Sequence, residues 1–180
     1  PQGYLFNQLR NFRDARRYYQ PMAILLENMT DEYLLEIAQY FSALQLPYPA
    51  PEQIHMQPEE IKLAERLVYS GKPEKNIPAC SACHGDILMG VEPAIPGLLG
   101  LSRAYITAQL GGWRNGGIMR GQTADCMSEI AQQLTDEEAN AIAKWLASQF
   151  VSGKPSPFSV LSPELAHRCS QNILENGGAK

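Results

Sequence analysis

The sequence predicts an all-α protein built on an internal duplication. Apolar residues recur at helical spacing in several stretches separated by Pro- and Gly-rich joins. No segment alternates as a strand would, and two helix-like stretches recur in the same order further along the chain. With 180 residues, 44% hydrophobic and 19% charged, the chain has room for one domain or two small ones and lacks the composition of a disordered segment.

The elements follow from local signals. Residues 4–17 place Leu5, Leu9 and Phe12 on one helical face. TDEYLLEIAQYFSAL opens with Thr30 as N-cap and with Asp31 and Glu32 in the first turn, where carboxylates suit the helix dipole. In residues 46–53, LPYPAPEQ, the alternating Pro47, Pro49 and Pro51 forbid a helix and predict an extended, semi-rigid linker. Pro58, favoured in a first turn, starts a helix that runs to Gly71. After a short cysteine-bearing segment and a Gly/Pro-rich loop, SRAYITAQLGGW reads as a helix capped by Ser102. TDEEANAIAKWLASQF begins with Thr135 and Glu138 spaced as a capping box. Residues 151–180 show no core pattern and read as a surface tail.

The duplication is explicit at an offset of 101 residues, where YLFNQLRNFR (from Tyr4) lies over YITAQLGGWR (from Tyr105). MTDEYLLEIAQYFSAL (from Met29) then lies over LTDEEANAIAKWLASQ (from Leu134), the loop between being four residues longer in the second copy. Shared Tyr, Gln-Leu, aromatic-Arg and Thr-Asp-Glu positions exceed what two unrelated amphipathic helices would share.

A formal net charge of −4 disfavours nucleic acid as a partner, and the Arg-rich RNFRDARR (Arg10 to Arg17) is local and interrupted by Asp14. The opening residues do not read as a signal peptide, which leaves the compartment open because a secreted protein loses its leader, and no apolar run reaches the roughly 18 residues that span a bilayer.

IPACSACHGD holds Cys80, Cys83 and His84 as C-x-x-C-H. A redox dithiol of the thioredoxin kind needs a βαβ context that is missing. A structural zinc needs four ligands, usually in paired clusters, whereas Cys126 and Cys169 stand singly. A Cys80–Cys83 disulfide would close a tight, strained loop. Covalent haem uses every part of the motif: each thiol adds to a vinyl group and the adjacent histidine takes the iron.

At these residues the chain resembles a class I c-type cytochrome, specifically the tandem two-domain, dihaem type represented by cytochrome c4. The second copy carries the likeness in CSACHG, IPGLLG, YITAQLGGWR, MSEIAQQLTDEE and AIAKWLA, across residues 61–149. The first copy carries it in YLFNQLRNFR and PMAILLENMTDEYLLEIAQYF. The resemblance implies a compact helical domain around each haem, with part of the haem edge exposed. It implies His84 and Met127 as axial ligands, with Met119 the second choice and Met89 too close to the proximal segment to cross the haem plane. It implies that the Pro96 carbonyl accepts from Nδ1 of His84. It assigns Tyr105, Trp113 and Arg114 to the haem edge or a propionate. Core packing for the two aromatics, core filling for a methionine and a solvated Arg114 are the alternatives.

The implied organisation is two tandem class I cytochrome c domains, the first lacking its N-terminal haem-binding part. Residues 1–46 are the C-terminal part of the first domain, 47–57 the linker, 58–150 a complete domain and 151–180 the tail. Met22 stands where Met127 stands in the second copy, so it is a ligand conditional on a first haem whose anchoring residues precede this sequence. An N-terminally incomplete dihaem protein is the favoured expectation, and a vestigial half-domain packed on its neighbour is the alternative. A Cys126–Cys169 disulfide fits an oxidising compartment, and two unpaired thiols remain the alternative.

The expected function is electron transfer by haem c with His/Met ligation in a periplasmic carrier, one haem at Cys80/Cys83 and a second in the intact protein. The expected partners are redox proteins: a membrane oxidase, a cytochrome complex or a dehydrogenase, with peripheral membrane association compatible. Two alternatives stay open. One is a haem-bearing subunit docked on a dehydrogenase or oxidase. The other is a haem peroxidase, which would need an open iron and a distal acid–base group. His55, near the linker, and His167, in the tail, are further alternatives for the sixth ligand although neither lies in the matching loop, and both are poorly placed as acid–base groups.

Overall fold

The computed structural model describes residues 1–44, 46–115 and 126–151. Met119, His167, Cys169 and the tail beyond Val151 lie outside the described residues.

The first copy is three helices: α1 (Gln2–Arg13), α2 (Gln20–Leu26) and α3 (Asp31–Ala43). The helix expected to reach residue 17 stops at Arg13, because Ala15 turns left-handed (φ 54°) and Arg17 N–H folds back on the Asn11 carbonyl at 2.9 Å. Thr30 caps α3, its side chain accepting from Tyr33 N–H. The second copy begins with α4 (Pro58–Tyr69), followed by a 3-10 turn (Pro73–Lys75) and the one-turn α5 (Cys80–His84). Then come α6 (Arg103–Arg114), α7 (Cys126–Gln133) and α8 (Asp136–Ala147). Ser102 caps α6 and the Thr135–Glu138 capping box opens α8, as the spacing predicts. The all-α expectation holds with one small departure: β1 (Gly90–Val91) and β2 (Ile95–Pro96) form a two-residue antiparallel pair, too short for any alternation to betray it.

The core of the second copy lies where α4 crosses α8. Ala64, Leu67 and Val68 meet Ala141, Ile142, Trp145 and Leu146, all buried, and the Tyr69 ring stands edge-on to Trp145 at 5.8 Å. Lys144 Nζ spans the same crossing to Glu60 Oε1 at 2.7 Å. The turn after α4 depends on Gly71: its φ is +70°, and a Cβ there would come within 2.4 Å of the Ile77 carbonyl oxygen. The next residue, Lys72, reaches across to the largely buried Glu138 of α8.

The two copies repeat each other bond for bond at one point. Arg13 donates to the Met29 carbonyl and pairs with Asp31, while Arg114 donates to the Leu134 carbonyl and pairs with Asp136. Each arginine fastens the end of one helix to the start of the final helix of its copy. The copies differ in what covers that final helix. Trp145 and Leu146 are 6% and 2% exposed under α4, whereas their equivalents on α3, Tyr40 and Phe41, are 64% and 59% exposed.

The proline-rich join runs without helix, as its alternating prolines require. Its second half is more than a spacer. Glu52 N–H donates to the Ala147 carbonyl at 2.9 Å, Glu52 Oε1 accepts from Arg103 N–H at 2.8 Å, and Ile54 and Met56 pack on the second core. At the other contact between copies, Gly3 N–H donates to the Pro93 carbonyl at 2.8 Å, so close that a Cβ on Gly3 would lie 2.6 Å from that oxygen. This approach lays α1 over β2 and beside the cysteine motif.

Candidate functional site

Cys80 and Cys83 begin and nearly end the single turn of α5, so the two-residue gap puts both half-buried cysteines on one cavity of about 470 Å³. Burial pushes the Cys80 thiol up to about 11, which keeps it protonated. His84 closes α5 and is buried. Its Nδ1 lies 2.7 Å from the Pro96 carbonyl oxygen. A carbonyl only accepts, so Nδ1 carries the proton and Nε2 keeps its lone pair. Burial moves the imidazole down from its ordinary value and so favours the neutral form; the Pro96 contact opposes this more weakly. A neutral, oriented imidazole with Nε2 open is a ready ligand for a metal centre.

The cavity walls are apolar where α4, α6 and α8 supply them, through Leu67, Ile106, Leu110, Ile142 and Leu146. Met127, in the first turn of α7, lines the same cavity and is half-buried. Of the residues expected from sequence, Cys80, Cys83, His84, Pro96, Tyr105, Trp113 and Met127 all line this one space. Arg114 is not among the described lining residues; its guanidinium pairs with Asp136 and donates to the Leu134 carbonyl. Met22 lies in the first copy away from the cavity, and Met89 is buried in the loop core. His55 is exposed and 3.0 Å from the Gln57 side chain. Cys126 is disulfide-bonded and the Cys169 position lies outside the described residues. Among the described residues no group of three or more His, Cys, Asp or Glu side chains could hold a metal ion, so a zinc cluster has no ligands there.

Sequence reasoning missed the share of the first copy in this cavity. Tyr4, Asn7, Gln8, Arg10, Asn11, Arg16 and Arg17 line it from the side opposite the thiols' own domain. The available signal was the run RNFRDARR, basic in an acidic protein. Arg17 joins the copies, donating to Gln8 Oε1 (2.6 Å) and, across the divide, to Gln109 Oε1 (3.1 Å) and Tyr105 Oη (3.3 Å). Tyr4 hydrogen-bonds Tyr105 there, and burial raises its phenol above the usual value. Tyr4 and Tyr105 are equivalent in the repeat, as are Gln8 and Gln109, so the two tyrosines meet as equivalents and Arg17 bridges the two equivalent glutamines.

No family model matches the chain. The thiosulfate dehydrogenase electron acceptor of Thiomonas intermedia is 37% identical over 153 residues, covering 84% of this chain and 69% of that protein. Cytochrome c4 of Thiocapsa roseopersicina is 32% identical over 146 residues, covering 79% and 72%. Among solved structures, cytochrome c4 of Acidithiobacillus ferrooxidans superposes with a TM-score of 0.66 at 26% identity, over 82% of this chain and 84% of that one. Two thiols and a histidine on one helical turn, an apolar cavity and these likenesses define a class I c-type cytochrome, an electron carrier that binds haem c covalently and is not itself a catalyst. Cys80 and Cys83 with His84 form the motif such attachment uses. The chain belongs to the cytochrome c4 family.

Proposed function

We propose that this chain carries electrons on a haem bound through Cys80 and Cys83 and held between His84 and Met127, as part of a dihaem carrier serving a periplasmic dehydrogenase. The observation that carries the reading is that His84, with Nδ1 fixed on Pro96, and Met127 border the same apolar cavity. Bound haem supplies a reversible one-electron change at iron, and a thioether ligand raises its reduction potential. Burial favours the neutral imidazole, and the cavity walls are largely apolar. Trp113 and Tyr105 border the cavity as well, and Tyr105 remains partly exposed, on the side where an electron can leave.

The dihaem part rests on the repeat. Tyr40 and Phe41 lie bare on α3 where their equivalents are covered by α4. A preceding segment equivalent to 58–100 would cover them and bring a second C-x-x-C-H motif to Met22. The domain limits of 1–46, 47–57, 58–150 and 151–180 follow from that reading. The disulfide at Cys126 suits an oxidising compartment such as the periplasm. A relative whose name is an electron acceptor of thiosulfate dehydrogenase favours a dehydrogenase over an oxidase as donor. No helix among the described residues is long and apolar enough to cross a membrane.

The test is the ligand set. Met127→His should keep the haem attached and lower the potential, and Met127→Ala should abolish the weak near-infrared band of methionine-bound ferric iron. A band that survives Met127→Ala and disappears in Met119→Ala would overturn the assignment.

A further inference from the structure

We propose that Arg17, with Arg16 beside it, is the counter-charge for the propionate carboxylates of the haem attached at Cys80 and Cys83, so that the first copy clamps the haem of the second. The inference rests on haem occupying the cavity and goes beyond the ligand set to the groups that hold its acidic edge.

The charge inventory comes first. Among the described residues, every arginine or lysine lining the cavity comes from the first copy: Arg10, Arg16 and Arg17. Among the described residues no Asp or Glu lines it. Haem brings two carboxylates, and the described residues of the second copy offer them only neutral donors in this lining. Arg10 is within 3.6 Å of Asp31, and Arg16 shares Asp14 at 2.9 Å. Arg17 differs from both. It is half-buried, yet its hydrogen-bond partners are Gln8, Gln109, Tyr105 and Tyr4, none of which carries a charge at neutral pH. Among the described residues no carboxylate lies within ion-pair distance of it. A guanidinium taken from water without an anion is unfavourable, and a planar fork of N–H donors matches a carboxylate.

Placement agrees with the inventory. Arg16 and Arg17 reach the cavity because α1 ends at Arg13 and the left-handed Ala15 turns the chain back over Asn11. A helix continued to residue 17 would have carried them past it. Arg17 is then held inward, its Cζ 5.1 Å from the centre of the Phe12 ring. An arginine held by five neighbouring side chains is poorly suited to greet an acidic protein and well suited to a fixed ligand.

The experiment uses the purified holoprotein with haem attached. Removing a positive charge beside haem favours the oxidised, more positive iron. Arg17→Gln should therefore shift the oxidised-to-reduced equilibrium toward oxidised by about tenfold, a fall of about 59 mV for one electron. A guanidinium keeps a nearby carboxylate ionised. The native potential should thus stay flat between pH 5 and pH 8, whereas that of Arg17→Gln should fall as pH rises through the released carboxylate. Arg17→Lys should recover most of the potential, and Arg16→Gln should repeat the shift at smaller size. An unchanged potential with an unchanged pH profile in Arg17→Gln overturns the clamp. If that variant does not mature, the native protein decides alone: a carboxylate step in its potential between pH 5 and pH 8 overturns the proposal, and a flat profile supports it. Loss of the methionine–iron band in any variant is read separately, because it reports the axial ligand and not the propionates.

Discussion

Replacing Glu138 by glutamine tests the contact that ties the start of the haem-bearing domain to its end. Glu138 is 5% exposed, and its carboxylate divides its oxygens: Oε1 accepts from Lys72 Nζ and Oε2 from Thr135 N–H at 2.9 Å. Glutamine can still serve the capping box, so the substitution removes chiefly the charge opposite Lys72. Breaking a buried pair outright costs about 3–5 kcal/mol. Here an amide oxygen still accepts from the ammonium, so the loss is that of a charge-assisted bond, about 2 kcal/mol. For a domain of this size that lowers Tm by roughly 8–16 °C. The pH dependence carries the argument further. Burial alone would raise the Glu138 carboxyl, but the bonds from Lys72 and Thr135 and the charge of Lys75 outweigh it, so the group sits below its usual range. A carboxyl lower in the folded than in the unfolded state stabilises fully above the unfolded value of about 4.3, and that stability is lost as pH falls through the folded value. Thermal denaturation of the holoprotein, followed by far-ultraviolet circular dichroism from pH 3 to pH 8, should show the native–variant gap widest at neutral pH and closing in acid. A gap that is constant with pH, or none at pH 7, would refute the ion-pair reasoning.

Three further outcomes are expected. Gly71→Ala should destabilise by at least about 1 kcal/mol, because alanine disfavours φ +70° and its Cβ would strike the Ile77 carbonyl; the readouts are Tm and the yield of haem-loaded protein. Trp145→Ala should cost about 3–5 kcal/mol, whereas Tyr40→Ala, its exposed equivalent, should change the stability of this 180-residue chain by less than about 0.5 kcal/mol in denaturant titrations. Cys83→Ala should still show haem in its intact mass through Cys80 alone, while the double variant Cys80→Ala/Cys83→Ala should release haem into acidic acetone.

What the sequence disclosed was local. Thr30, Ser102 and the Thr135–Glu138 pair announce helix starts because caps act within one turn. C-x-x-C-H announces its chemistry because the geometry of one helical turn is built into the spacing. What it withheld was tertiary. Whether Arg114 faces haem or the start of α8 depends on where Leu134 and Asp136 lie, which no helical period encodes. The proline-rich join looks like a free spacer until Glu52 meets Ala147 and Arg103. Arg16 and Arg17 look like a helix end until one left-handed residue redirects them. The choice between Met127 and Met119 came from resemblance; Met127 borders the cavity and Met119 lies outside the described residues.

The meeting of Tyr4 with Tyr105, with Gln8 and Gln109 both bonded to Arg17 beside it, has the form of a homodimer contact made within one polypeptide. As separate molecules, two surfaces joined by a few polar bonds would part on dilution. The join between Ala43 and Pro58 replaces that second-order encounter with a first-order one, at a local concentration in the millimolar range. Association therefore does not depend on how much protein the compartment holds. It also relieves the contact of the need to be self-complementary everywhere. One side can acquire a side chain that the other lacks, and two once-identical halves can diverge without ever exchanging partners.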